Sequence, residues 1–229
     1  MVAGATRFQA FGPTHLAVLA VFAAGVVLLT LLGRRQRGRS PAATCRGLAV
    51  ALVCVAVPSQ VWQLTGDYDL GSSWPLQLCD LAWVTAVWAL LTRARVPTAL
   101  TYFWGLTLTV QGILTPSLGQ SFPDPRFFAF WGMHLLVVWS AVYLTVGLGL
   151  GPSWRDYAVT VAVTFVWAVL VYAFNEAVGT NYGYVNHKPA SASVLDWFGP
   201  WPAYLLVAAA VLLAGWALLT WPWARQARP

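Results

Sequence analysis

Few residues in this chain can carry chemistry: 229 residues hold only three cysteines, three histidines and seven carboxylates. Cys79 has the most suggestive setting, in Trp74-Pro75-Leu76-Gln77-Leu78-Cys79-Asp80, which opens an apolar run ending at Arg93. A proline near a helix start forfeits no useful hydrogen bond and presets φ, so the spacing predicts a helix from Pro75 with Cys79 about one turn inside it. The unpaired N–H groups of a first turn favour a thiolate, while the adjacent Asp80 opposes one. A thiol nucleophile needs a base, and His134 is the histidine placed to serve. The plainer alternatives are a small buried hydrophobe for Cys79 and a packing histidine for His134.

Composition decides where such chemistry would take place. The chain is 59% hydrophobic and 9% charged, with a mean hydropathy of +0.66, and it lacks the charged surface of a soluble domain. It reads as an all-α integral membrane protein, a single bundle of seven transmembrane helices over 1–229. The spans are about 15–32, 45–64, 75–92, 98–114, 127–148, 157–177 and 200–220, each near the length of about 20 residues that a bilayer requires. The first run lacks a basic leader and reads as a retained span. The formal charge of +6 does not point to nucleic acid, because the arginines cluster beside apolar runs. The cysteines match no zinc or disulfide pattern, and no cofactor motif is present.

Arg34, Arg35, Arg37, Arg39, Arg46, Arg93, Arg95, Arg155, Arg225 and Arg228 fall on one predicted side, with Arg7, Arg126 and Lys188 on the other. By the positive-inside rule the N-terminus is outside and the C-terminus cytoplasmic, as in a multi-pass protein of the plasma membrane. Cys79 and His134 then sit about 6 and 10 Å below the outer surface. Polar residues gather at that same face: Gln111 and Thr115 end one span, Asn175 and Glu176 end another, and Asn181, Tyr182, His187 and Lys188 lie in the longest loop. Together with Gln77 and Asp80 they are candidates to line a cavity or contact a substrate. Trp104, Thr107, Gln111 and Thr115 share one helical face, as do Thr160, Thr164, Trp167 and Asn175, although interhelical bonding accounts for threonines equally well.

Two other classes fit the same placement. A zinc-dependent lipid hydrolase would draw on His15, His134 and His187 with Asp67, Asp69, Asp80 or Glu176, but no pair of histidines stands one turn apart. A non-enzymatic carrier would use a polar cavity for a small solute or a lipid.

Several short motifs occur in a fixed order: Pro75-Leu76-Gln77-Leu78-Cys79, Gln111-Gly112-Ile113-Leu114-Thr115-Pro116, His134, Asn181-Tyr182, Lys188-Pro189 and Gly199-Pro200-Trp201-Pro202. Together they resemble the YwaF-like family of bacterial integral membrane proteins. That family is similar to a eukaryotic transmembrane acyltransferase that moves polyunsaturated acyl chains onto lyso ether phospholipids through a cysteine. The resemblance implies an acyl-accepting Cys79, a general base at His134, and phospholipid and lysophospholipid substrates; by their placement on the outer side, Arg126 and Lys188 are candidate phosphate contacts. Gln77 departs from it, standing where the family often has histidine.

The charge asymmetry carries a direct test: a reporter fused after Arg228 is expected to be cytoplasmic. An external reporter would invert every depth assigned here.

Overall fold

The computed structural model describes residues 8–66, 68–116, 118–189 and 193–226; Arg7, Asp67 and Arg228, used in the charge and metal readings, lie outside them. Every regular element among the described residues is helical. α1 spans Pro13–Arg35, α2 Ala42–Thr65 and α3 Leu78–Thr92. α4, Arg95–Trp104, runs through a π-helical segment, Gly105–Thr109, into α5, Val110–Leu114. α6, Pro125–Val142, ends in a second π segment, Tyr143–Gly147. α7 spans Trp154–Val178 and α8 Ala203–Gln226, with two 3₁₀ turns between them, Tyr182–Tyr184 and Val194–Phe198. α1, α2, α6 with its π segment, α7 and α8 are five helices long and apolar enough to cross a membrane.

Local chemistry sets several of these boundaries. Asp124 caps α6, its Oδ1 accepting from the Arg126 N–H at 2.8 Å with Pro125 in the first helical turn. The Arg126 side chain bonded to it holds the Asp124 carboxyl below its ordinary range. At the head of α7, Asp156 Oδ2 accepts from the Ser153 N–H at 2.7 Å, and the Asp156 N–H donates back to Ser153 Oγ at 3.4 Å. Arg93 takes a left-handed conformation, φ 53°, and its N–H closes α3 on the Ala89 carbonyl at 2.7 Å. α4 then starts at Arg95, so α3 and α4 form a tight hairpin.

α4 lies at the centre, with Pro97 to Trp104 all buried. α3 meets it through Ala82, Ala86 and Ala89, which are fully buried and small enough for close backbone approach. α2 and α6 also pack on α3, and α7 closes on α4 and α8. α1 lies outermost, with only His15 and Gly33 buried; a Cβ on Gly33 would come 2.6 Å from the Gly147 backbone. The expected start of the third span at Pro75 is displaced to Leu78. Residues 75–77 do not continue the helix because Gln77 is extended, with ψ 147°.

The long connection after α7 is tied down by one side chain. Asn175 is 1% exposed, and its amide donates to Tyr182 O at 3.0 Å and Asn186 Oδ1 at 2.8 Å. Its oxygen accepts from Thr180 Oγ1 at 2.8 Å and from the Tyr182 N–H at 2.9 Å. All four bonding positions of that amide are filled. Asn175→Ala leaves both backbone groups of Tyr182 unpaired, and we expect a loss on the order of 2–4 kcal/mol. Thermal unfolding in detergent measures this, together with faster hydrogen exchange at the Tyr182 amide; unchanged exchange would contradict the pinning role.

Candidate functional site

Cys79 is the second residue of α3 and half-buried, nearer the helix start than the sequence suggested. Gln77 is the N-cap, and its N–H donates to Asp80 Oδ2 at 3.2 Å. The Asp80 and Leu81 N–H groups return to the Gln77 carbonyl at 3.0 and 3.2 Å. The N–H groups of Leu78 and Cys79 are left without a carbonyl partner, as the first turn of a helix requires. The Leu76 N–H donates to Trp74 O at 2.8 Å, so neither it nor the Gln77 N–H is free. Asp80 is thus a capping carboxylate.

The stretch leading into α3 is irregular and is held from three directions. Gln60 Nε2 donates to Ser73 O at 2.7 Å and Trp167 Nε1 to Leu76 O at 3.0 Å. Tyr182, fully buried, donates its hydroxyl to Leu70 O at 2.7 Å and accepts from the Trp74 N–H at 3.0 Å. Gly183 N–H donates to Gln77 Oε1 at 2.9 Å. Gly183 has φ 66°, and a Cβ there would meet the Trp167 ring at 2.4 Å, so only glycine lets this turn reach the start of α3. Gln77 therefore anchors the loop rather than lining a cavity.

His134 is 4% exposed and sits on α6. Its Nδ1 lies 2.7 Å from Phe130 O; a carbonyl only accepts, so Nδ1 carries the proton and Nε2 keeps its lone pair. Phe130 stacks on the imidazole with centroids 4.2 Å apart. Nε2 faces Gly112, where a Cβ would stand 2.9 Å away. Gly112 is thus the residue that sequence reasoning overlooked. The available signal was a glycine within an apolar helical run, which marks close approach. Gly132, two residues before His134, faces Val55 on α2.

Cys79 and His134 stand on helices that pack together. Each lies thirteen residues before the far end of its helical segment, Thr92 and Gly147 respectively, which is about 20 Å. Arg93 and Gly149, just beyond those ends, line one cleft, so the two helices run in the same direction. No hydrogen bond joins Cys79 Sγ to His134 Nε2 in this arrangement.

The other candidates are engaged elsewhere. Gln111 and Thr115 are exposed, and Thr115 Oγ1 bonds Gln111 O at 3.0 Å. Asn181 Oδ1 accepts from the Asn186 and His187 N–H groups at 3.3 and 3.2 Å, while Asn181 Nδ2 donates to His187 O at 2.7 Å. His187 and Asn181 thereby close the loop on itself. Lys188 Nζ lies 3.9 Å from Asp196 and over the Tyr204 ring at 5.7 Å. The two polar stripes are largely interhelical: Trp104 Nε1 donates to Thr164 Oγ1 at 2.9 Å and Trp216 Nε1 to Thr107 Oγ1 at 3.2 Å. The π segment also breaks the α-helical register between Trp104 and Gln111.

The metal reading finds no geometry among the described residues, where no three histidine, cysteine or carboxylate side chains come together. His15 is buried with both ring nitrogens used, Nδ1 accepting from Phe11 N–H at 2.9 Å and Nε2 donating to Ile113 O at 2.8 Å. Asp69 belongs to the turn before α3, where it accepts from Ser72 Oγ at 2.8 Å.

Five helices long and apolar enough to cross a membrane define a multi-pass α-helical membrane protein. The profile of the TMEM164 family, a family of transmembrane proteins, matches residues 10–220, and the chain belongs to that family. No curated protein and no solved structure matches the chain.

Placement separates the three thiols. Cys45 is 1% exposed, Cys54 faces outward in the middle of α2, and Cys79 is half-buried at a helix end. A water-soluble methanethiosulfonate is expected to modify Cys79 faster than Cys45 or Cys54, read by mass spectrometry of intact membranes. Equal rates at Cys54 and Cys79 would mean that water does not reach the start of α3.

Proposed function

We propose that this protein is a seven-span enzyme of the plasma membrane that transfers phospholipid acyl chains through a thioester on Cys79, with its N-terminus outside. The observation that carries this reading is the placement of Cys79 and His134, each thirteen residues from the same end of two packed helices, with the Nε2 lone pair of His134 unshared among the described residues. The resemblance to the YwaF-like family supports it independently. α3 and the α4–α5 run would supply the two spans beyond the five long helices.

In this mechanism Cys79 Sγ attacks the ester carbonyl carbon of a phospholipid while its proton passes to His134 Nε2. The carbonyl oxygen becomes an oxyanion, and the N–H groups of Leu78 and Cys79 are the donors nearest the attacking sulfur. Collapse breaks the C–O ester bond, and the imidazolium returns its proton to the departing lysolipid alkoxide. The acyl thioester is then taken by a lysophospholipid hydroxyl, with His134 accepting that proton and passing it back to the sulfur. The dependence on His134 follows from the neutral Nε2 base that Phe130 O enforces.

Purified protein in lipid, given mixed phospholipid and lysophospholipid, is expected to redistribute acyl chains and to form a trappable thioester at Cys79. Cys79→Ser should abolish turnover in folded protein, and His134→Gln should slow it by about a hundredfold or more. Gly112→Ala sets a methyl against Nε2 and should slow acylation without altering either reacting group. Full activity in Cys79→Ser, or in His134→Gln, would sink the thiol mechanism.

A further inference from the structure

At the end of the bundle opposite Cys79, two adjoining clefts of about 410 and 260 Å³ share Arg95, Gly149, Gly151 and Pro152. Volumes in this range suit small ligands. The larger cleft is lined by Arg37 just beyond α1, Arg95 at the head of α4, Ser153 at the head of α7, and Trp223 from α8.

The two guanidinium groups differ in how they are held. Arg95 grips Asp156 through Nε and Nη2 at 3.0 and 3.1 Å and reaches Ser153 Oγ at 2.7 Å. Arg37 has no carboxylate partner among the described residues. It is aimed by two carbonyls instead, Nε on Gly147 O at 2.7 Å and Nη2 on Val146 O at 2.8 Å. Those carbonyls end a helical segment and carry only partial negative charge, so Arg37 has no formal counter-charge, and its Nη1 and that of Arg95 have no protein partner among the described residues. With Arg93 at the rim of the smaller cleft, three guanidinium groups face one carboxylate.

A fixed guanidinium with no formal counter-charge beside a second one, in a cleft at the arginine-rich end of a membrane bundle, is a setting for a phosphate anion. Arg37 is already positioned by its carbonyls, so binding orders little that is not ordered beforehand. We propose that this cleft binds the phosphate of an anionic phospholipid headgroup, with Arg37 and Arg95 as its donors. The site is separate from Cys79 and does not depend on the acyl-transfer reading.

The test titrates the full chain in mild detergent with dioctanoyl phosphatidic acid, read as bound mass in native mass spectrometry. Saturable binding of one molecule is expected, with dioctanoyl phosphatidylcholine and inorganic phosphate each binding more weakly by about tenfold or more. Arg37→Gln should weaken binding by about tenfold or more, the usual effect of losing a charged hydrogen bond. Ala224→Glu sets a carboxylate into the cleft wall without removing any contact and should weaken it comparably. Arg39→Gln, in the same basic cluster but outside the cleft, should change it by less than about twofold, as a surface charge does. Should Arg37→Gln fail to fold, Ala224→Glu decides alone. Undiminished binding in Ala224→Glu, or equal losses in Arg39→Gln, would overturn the site. Inorganic phosphate or phosphatidylcholine binding as tightly as phosphatidic acid would overturn the lipid assignment.

Discussion

The unpaired backbone of the residues before α3 is the constraint on which the candidate site depends. α3 has 15 residues, about 22 Å, beside an α2 of 24 residues, about 36 Å, so the chain runs alongside part of α2 without a helix. Irregular backbone packed against other elements needs its polar groups satisfied by the protein itself. Gln60, Trp167, Tyr182 and Gly183 do so from α2, α7 and the loop beyond it. A helix start, with its unpaired N–H groups and a cysteine in second position, is thereby carried inside the bundle.

The same demand explains why so many polar residues on the Cys79 side of the bundle are already hydrogen-bonded. Asn175 spends its whole bonding capacity on Tyr182, Thr180 and Asn186, and Asn186 in turn donates to Glu176 at 2.6 Å. Among the described residues, the half-buried thiol, the exposed Gln111 side chain, the Nε2 lone pair of His134 and the buried indole N–H of Trp131 remain uncommitted.

The second half of the site rests on a break in helical regularity. The π segment Gly105–Thr109 turns the end of the α4–α5 run so that Gly112 meets the imidazole of His134 and the Ile113 carbonyl takes the proton of His15. Two histidines thus border one turn of helix in opposite conditions, His15 with both nitrogens bonded and His134 with one. Identical side chains are distinguished only by what their neighbours leave vacant.

The sequence by itself determined the class of the protein and most of its spans. Hydropathy is summed over many residues, and runs such as His15–Leu32 or Tyr157–Ala177 leave little freedom to an isolated side chain. It also singled out Cys79 and His134, because rare reactive residues stand out in an apolar chain. Only the tertiary structure decided the start of α3, where a glutamine cap and contacts more than 90 positions away overrode the helix expected from Pro75. Only it showed Asn175, Asn181 and Tyr182 to be scaffold and Gly112 to face the base. Whether a polar group is spent or free depends on partners distant in the chain, and no local pattern records them.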